Sequence, residues 1–416
     1  MSVGKLRSWS LAQAFVLGAA VSAAAGCSST PPSAEASGDD ITDVQHTSTK
    51  GQTIGNCWVY ATVGWAESLN KSATNADADF SETYVSYWDW FDKIAGGTTD
   101  LNPGGFWGDA IEILGRRGVI NEGDFIPEES AAANSVRQKT ALNAIKESIA
   151  NGALKDPQAK RNGAIVRQEL DKAFGLNADV IAMLDNVFGK AGERTLDRNY
   201  ASGALPGGAP IKRTSEIPAA LTNRQGGTKV GTLADAIGSR ASGTSAWQGL
   251  RDGEFAWGTL TYPKDNRRQY LKRAQRALHA RQPVLMIWSV DFNALDPQGR
   301  FMEAPATPSE IGSHMTVLED YQVENVPGFG TLPAGVDEQR PEALNAALDD
   351  SATVTFFRIK NSWGDYKSVP DFSSRGYHDL YLKYLDGPIK NCPKDKPNEC
   401  RDIVPLQELI LPRNER

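Results

Sequence analysis

The stretch Gly51–Leu69 reads GQTIGNCWVYATVGWAESL. Its first six residues, Gly51 to Asn56, are small or polar and predict a loop. From Trp58 onward, Val59, Val63, Ala66 and Leu69 fall near helical spacing, so a helix begins there. Cys57 is thereby placed at the junction of loop and helix. A helix N-terminus favours an anion, which lowers a thiol pKa and makes a thiolate nucleophile. The plain alternative is a small buried hydrophobe, the usual fate of a free cysteine.

Two other segments carry residues of matching chemistry. His314 opens GSHMTVLEDYQ, where Gly312-Ser313 reads as a turn and Met315–Tyr321 as a strand. A histidine at the mouth of a strand can face a cleft, or can simply be a half-exposed strand residue. Asn361 lies in FFRIKNSWGDY, after a strand over Phe356–Ile359. An asparagine that accepts from an imidazole N–H fixes its tautomer, the third-group role in a Cys–His system. Trp363, two residues on, is placed to cover such a bond from water. Of the four histidines, His46 falls in a tether, His279 on a basic helix and His378 in a late strand.

Taken in order, these segments resemble the papain-like cysteine peptidases. GNCWVYATVGWAE is similar to that family's nucleophile segment, with Trp58 after the cysteine and Glu67 ten residues later. FSETYVSYW resembles its Leu-Ser-Glu-Gln stretch, and NPGGFWGDAIEILGRRGVINEGDFIP its Asn-Gly-Gly strip and following helix. ARQPVLMIWSV resembles its Gln-Pro-Val strand, IKNSWG its asparagine segment letter for letter, and GYHDLYL its closing strand. The resemblance implies a cysteine peptidase acting through a thioester acyl-enzyme, with Cys57 as nucleophile, His314 as base and acid, and Asn361 as the orienting residue. The backbone N–H of Cys57 would be one oxyanion donor. The family's other donor is a Gln six residues before the cysteine; here Gly51 stands there, and Gln52, five before, is the candidate. Gly104, Gly105, Trp58 and Trp363 would contact substrate. Ser313 precedes the histidine where the family often has Asp or Asn.

The implied fold is α+β: a two-lobed papain-like architecture with a helical left lobe, an antiparallel β-barrel-like right lobe and a mainly helical insertion. Residues 47–127 carry the left lobe, 128–254 the insertion, 255–390 the right lobe and 391–416 a C-terminal tail. Inside the insertion, Ser135–Ala150, Ile165–Phe174 and Ala178–Phe188 read as helices, and Tyr200–Pro218 as loop. It is either a helical elaboration away from the cleft or a lid restricting substrates. Arg267, Arg268, Lys272, Arg273, Arg276 and Arg281 make a basic stretch on a helix, read as a solvated face with membrane contact the lesser alternative.

Composition bounds the rest. The chain has 416 residues, 40% hydrophobic and 23% charged, with a net charge of −7. Such an acidic chain is a poor nucleic-acid binder, because displacing counterions needs basic surface. No CxxC, HExxH, phosphate-loop, GxGxxG or GxSxG pattern occurs, so no metal and no cofactor is expected. The expected partner is a peptide or protein substrate. Three functions stay open: an endopeptidase, an exopeptidase with an insert-restricted cleft, and a catalytically silent papain-like binding protein.

Residues 1–26 read as an export signal, with Lys5 and Arg7 ahead of an apolar run from Leu11 to Ala25 too short to span a bilayer comfortably. Ala24-Ala25-Gly26-Cys27 resembles a lipobox, which would lipidate Cys27; Ala23-Ala24-Ala25 is a competing cleavage site that would release the protein. Residues 27–46 form a Ser/Pro/Ala-rich disordered tether. The expected localisation is the cell envelope, outer membrane favoured by Ser28, with a membrane attachment only through that lipid. In an oxidising compartment Cys392 and Cys400 read as one local disulfide. If Cys27 is lipidated, the mature protein partitions into detergent and Cys27→Ser becomes soluble. An intact mass for an unlipidated chain beginning at Gly26 would refute the anchor.

Overall fold

The computed structural model describes residues 44, 47–130, 134–135, 137–222, 227–364, 376–393, 395 and 399–415. The leader, Cys27, nearly all of the tether and His46 lie outside them.

Helices come first along the chain. They are α1 (Cys57–Thr74), α2 (Glu82–Ala95), α3 (Trp107–Arg117) and the one-turn α4 (Glu122–Phe125). Helix α1 is buried without interruption from Trp58 to Leu69, as expected of a helix apolar on all sides. Helix α2 is capped by Ser81, whose side chain accepts from the Tyr84 N–H; such a cap satisfies one of the first-turn donors. Helices α5 (Gln138–Asn151), α6 (Pro157–Arg161), α7 (Gly163–Phe174), α8 (Ala178–Phe188) and α9 (Leu196–Asn199) follow. Asn162 and Asn177 cap α7 and α8, and Gly175 ends α7 in the left-handed region.

These helices are not a separate body. Ile145, Val166, Leu170, Phe174, Leu184 and Phe188 share one apolar core with Trp65, Trp88 and Trp90. The Arg167 side chain, 1% exposed, donates to the Tyr87 hydroxyl at 2.6 Å, and the Arg117 guanidinium lies 3.9 Å from the Trp88 ring centre. So the region read as an insertion packs onto α2 as a further layer. It also holds two strand pairs: β1 (Pro218–Thr222) with β2 (Thr228–Thr232), then α10 (Leu233–Ile237), and β3 (Ser239–Arg240) with β4 (Arg251–Asp252). Arg251 and Arg240 both pair with Glu112 of α3, at 2.6 and 3.0 Å.

The second half is an antiparallel sheet. Its strands are β5 (Trp257–Thr261), β6 (Val284–Val290), β7 (Gly312–Val326), β8 (Gly330–Leu332), β9 (Thr353–Lys360) and β10 (Tyr377–Tyr381). After the short pair β11 (Ile389–Asn391) and β12 (Arg401–Ile403) comes β13 (Leu406–Pro412). The order is β10-β9-β7-β6-β13-β5, with β8 on β7. Side chains alternate between two cores, as the pleat requires. Leu285, Met315, Val317 and Ile410 face the helices, while Val284, Met286, Leu318, Leu409 and Leu411 face away, under α11 (Arg267–His279). The short helices α12 (Pro341–Ala346) and α13 (Leu382–Leu385) complete the chain. The α+β class expected from the sequence is therefore the one found.

Two expectations are corrected. Residues 391–416 are more than a tail, because β13 pairs with both β6 and β5 inside the sheet. The run LQELILP has the alternation and apolar content of a strand, and only its long-range pairing was hidden. The basic stretch on α11 is not a free solvated face either. Arg268 donates to the Ala347 and Asp349 carbonyls, Lys272 pairs with Asp350, and Arg276 with Glu415. The disulfide between Cys392 and Cys400 is formed, and Cys57 is free.

Charge is concentrated where helices and sheet meet. Lys50 lies 2.9 Å from Asp79, 3.2 Å from Glu82, 3.3 Å from Glu122 and 3.5 Å from Glu67. Four carboxylates around one ammonium cannot all stay ionised in a low dielectric. Burial, with Glu82 adding repulsion, pushes the Glu122 carboxyl up to about 10. The Thr47 hydroxyl donates to Glu67 at 2.6 Å and accepts from Lys360 at 2.9 Å, joining this cluster to β9. Removing one partner from such a cluster leaves buried charge uncompensated. Lys50→Met is expected to lower stability by about 3–5 kcal/mol in urea denaturation. A loss below about 1 kcal/mol would show that the carboxylates do not depend on it.

Candidate active site

Cys57 is the first residue of α1, and no side chain caps that helix, because the Asn56 amide is turned inward. Its Nδ2 donates to Ser86 at 3.0 Å and to Gln138 at 2.8 Å. The first-turn amides are thus not covered by a capping side chain and can act on the thiol. The backbone at Met315, Trp58 and Cys57 itself favours the thiolate, but burial outweighs them and pushes the thiol up. The acidic thiol expected from a helix N-terminus is therefore corrected: desolvation of the anion is the larger effect. Met315 is the neighbour of His314, so the thiol sits beside the start of β7, where that imidazole lies.

His314 is buried, not half-exposed, at the start of β7. Its Nε2 is 2.7 Å from Asn361 Oδ1. The same Oδ1 accepts the Ser362 N–H at 2.8 Å, which fixes the orientation of the amide. Nε2 must then carry the proton, and in the neutral ring Nδ1 keeps a lone pair. Burial pushes His314 down to about 4; the Asn361 bond opposes this, and His378 adds to it. Trp363 stacks on the imidazole, ring centres 5.0 Å apart and planes 19° apart. Phe292 and His378 pack against Trp363 at 5.2 and 5.1 Å. His378, set aside in the sequence, thus lies behind the ring that covers His314. Its place in a late strand carried no sign of this contact.

Gln52 is held between the cysteine loop and the asparagine segment. Its N–H donates to the Ser362 carbonyl at 2.7 Å, and its Oε1 accepts the Ser362 hydroxyl at 2.6 Å. Its Nε2 donates to the Ile54 carbonyl at 2.7 Å, which also takes the Asn56 N–H at 2.9 Å. One Nε2 hydrogen is used there and the second is available to a substrate oxygen.

The glycine strip is built by residues that the sequence reading missed. Lys93 pairs with Asp89 at 2.7 Å and donates to the Asn102 and Gly104 carbonyls at 2.9 and 2.7 Å. The Gly104 N–H goes to Asn102 Oδ1 at 2.8 Å. Both backbone groups of Gly104 are therefore engaged within the strip, its carbonyl keeping a second lone pair. Among the described hydrogen bonds, none involves Gly105, which leaves its peptide groups to a ligand. A Cβ on Gly105 would stand 2.6 Å from the Trp58 ring, so only glycine lies this close. Trp58 itself is 2% exposed and donates to the Pro103 carbonyl. It supports the strip from below and cannot contact substrate, contrary to its expected role. The i,i+4 pair Asp89/Lys93 was the one available signal for this support.

No family model matches this sequence, and a comparison with curated proteins finds no match either. Solved structures give distant likenesses. Xylellain, a cysteine protease from Xylella fastidiosa, has 14% identity and a TM-score of 0.32, covering 89% of this chain and 84% of its own. PepW from Lactobacillus rhamnosis has 13% identity and a TM-score of 0.40, covering 91% and 82%. A cysteine protease of Carica candamarcensis has 12% identity and a TM-score of 0.32, covering 88% and 92%. Likenesses at this level establish neither family nor activity; the side-chain geometry above is independent of them.

The depressed His314 has a measurable consequence. An unfolded histidine takes a proton near pH 6.5, whereas His314 and His279 do so only near 4 in the folded chain. Between those values the unfolded state binds more protons, so stability falls as pH drops through that window. Ring NMR of the four histidines should show His314 neutral until about pH 4. A midpoint near 6.5 would contradict its desolvation.

Proposed function

We propose that the protein is a cysteine peptidase that hydrolyses peptide bonds through Cys57, His314 and Asn361. The observation that carries this reading is the Asn361–His314 hydrogen bond under Trp363. It leaves the imidazole Nδ1 with its lone pair, near the start of the strand whose next residue abuts the Cys57 thiol. Burial disfavours a lone charge on either the thiol or the imidazole. As substrate binds, His314 Nδ1 takes the thiol proton while Sγ attacks the scissile carbonyl carbon. The carbonyl electron pair moves onto oxygen, where the Cys57 N–H and Gln52 Nε2 stabilise it. Donors of this kind are worth about 3 kcal/mol each in the barrier. The tetrahedral species collapses to a thioester as the amine leaves with the proton from His314. Water, deprotonated by the same imidazole, then attacks the thioester, and the proton returns to Sγ. Asn361 keeps the ring aligned through both halves and transfers no proton.

We read the enzyme further as an endopeptidase of the cell envelope. Exposed aromatic side chains flank both sides of the site, with Phe106 beside the glycine strip and Phe292 on Trp363. That suits an extended peptide running past the cysteine in both directions. The envelope assignment is supported by the leader and the Cys27 segment alone.

The test is labelling with a peptidyl epoxide, followed by mass mapping. The adduct is expected on Cys57, and Cys57→Ala or His314→Ala should abolish hydrolysis of peptide substrates while the fold persists. Asn361→Ala should slow turnover substantially and leave some activity. Full turnover in the Cys57→Ala protein would sink the cysteine-peptidase reading.

A further inference from the structure

The strip from Asn102 to Gly105 lies against Trp58, and three of its successive carbonyls are held from behind. The Asn102 carbonyl accepts from Lys93 at 2.9 Å, the Pro103 carbonyl from Trp58 Nε1 at 2.9 Å, and the Gly104 carbonyl from Lys93 at 2.7 Å. Lys93 places its remaining N–H on Asp89 at 2.7 Å. An ammonium has three donors and no acceptor, so each donor here has one partner. The same ammonium stands 5.6 Å from the centre of the Trp58 ring, within reach of a cation–π attraction. One group therefore joins α2, the strip and the residue directly after Cys57.

Nothing else around the strip can take over this task. Asn102 is exposed, and its side chain holds the Gly104 N–H, a bond internal to the strip. The far end is pinned separately at Phe106, whose N–H goes to Asp109 at 3.2 Å and whose ring centre lies 6.2 Å from that of Trp247. Between these points the bond from Trp58 draws the strip toward α1, and the two bonds from Lys93 draw it toward α2. Without the second pull the strip can pivot about the first, because two adjacent glycines give it little stiffness of its own. Arginine would be a poor substitute, since its donors lie in one plane and cannot surround a single point. A backbone edge that is already ordered spares a ligand the cost of ordering it.

We propose that Lys93 is a positioning residue for the peptidase reaction: through the Asn102 and Gly104 carbonyls it sets the spacing between the strip and Cys57. It thereby fixes the register in which a peptide backbone is presented to the thiol. The inference rests on the peptidase reading above and deepens it. Gly105, whose peptide groups are left to a ligand, stands where Lys93 holds its neighbour. Lys93 touches no reacting atom. Its loss is therefore felt by molecules that lie along the strip, and not by small reagents that reach Sγ alone. A shift of about 1 Å in such a support can lower a rate about 100-fold.

The test compares two thiol reagents on the full-length parent protein and on Lys93→Met. An epoxysuccinyl dipeptide lies along the strip to react, whereas iodoacetamide needs only the thiol. Lys93→Met is expected to slow inactivation by the epoxysuccinyl dipeptide about 10- to 100-fold and to leave alkylation by iodoacetamide nearly unchanged. On a fluorogenic peptide, kcat/KM should fall in step with the epoxide rate. Circular dichroism checks that each variant is folded. Lys93 is 28% exposed, and Lys93→Arg, which keeps a cation beside Asp89, decides the matter if the methionine variant does not fold; its epoxide rate should also fall, by a smaller factor. An epoxide rate equal to the parent's in the folded variant overturns the inference. So does an equal slowing of both reagents, which would mean that the thiol itself had changed. A parent protein that takes iodoacetamide on Cys57 but not the epoxide defeats the peptidase reading, and this inference with it. A parent that takes both, with a Lys93→Met protein that takes both at parental rates, defeats this inference alone.

Discussion

The Lys50 ammonium is the constraint on which the junction of helices and sheet depends. It sits among the buried carboxylates of Glu67, Glu82 and Glu122, from α1, α2 and α4, which it compensates, and beside the exposed Asp79 of the loop between α1 and α2. Glu67 uses its other contacts to hold the Phe80 N–H and the Thr47 hydroxyl. Thr47 in turn meets Lys360, which burial pushes down to about 8 even though Glu67 supports its charge. Lys360 immediately precedes Asn361. One polar cluster therefore sets the position of the asparagine relative to the helix that begins at Cys57. A small cavity of about 20 Å³ lies among Lys50, Glu67, Lys360 and Asn361, a volume close to one water.

That junction explains why the site's residues arrive together from distant parts of the chain. The N-terminal segment is clamped on the sheet by the bridge between Gly51 and Trp363 and by the two bonds between Gln52 and Ser362. Helix α1 crosses the sheet at Gly64, where a Cβ would lie in ordinary van der Waals contact with the Lys360 ammonium and Val317. Each contact fixes a different degree of freedom of the same pair of elements. The imidazole and the thiol are then positioned by backbone, not by each other, and burial disfavours a lone charge on either.

Support for the site extends outward in layers. Asn56 is held by Gln138, and Gln138 by Thr83, whose hydroxyl donates to Glu129. The helices after residue 137 thus reach the residue beside the nucleophile through a chain of buried amides and hydroxyls. On the other flank, Lys93 holds the glycine strip by its carbonyls, and burial pushes the Asp89 carboxyl up to about 7 although Lys93 opposes this. Chains of hydrogen bonds in a low dielectric hold geometry firmly when every member is satisfied.

Local physics made much of this readable from the residues alone. The apolar spacing after Cys57, the helices near 138–151, 163–174 and 178–188, the strand carrying His314 and the strand that ends before Asn361 each follow from periodicity and caps within one segment. The residue types of the site were equally legible, since Cys, His and Asn in their segments point to one chemistry. What stayed hidden depends on contacts between segments far apart in sequence. No local pattern places β13 in the middle of the sheet, sets Trp247 beside Phe106, or turns Trp58 beneath the glycine strip instead of toward substrate. Ionisation lay further still from view: helix position alone argued for an acidic Cys57, while burial, which exists only after the chain has packed, pushes that thiol up and His314 down. Sequence determines which side chains are present and the local form of their backbone; desolvation and long-range pairing, which set their charge and their neighbours, are decided by tertiary structure.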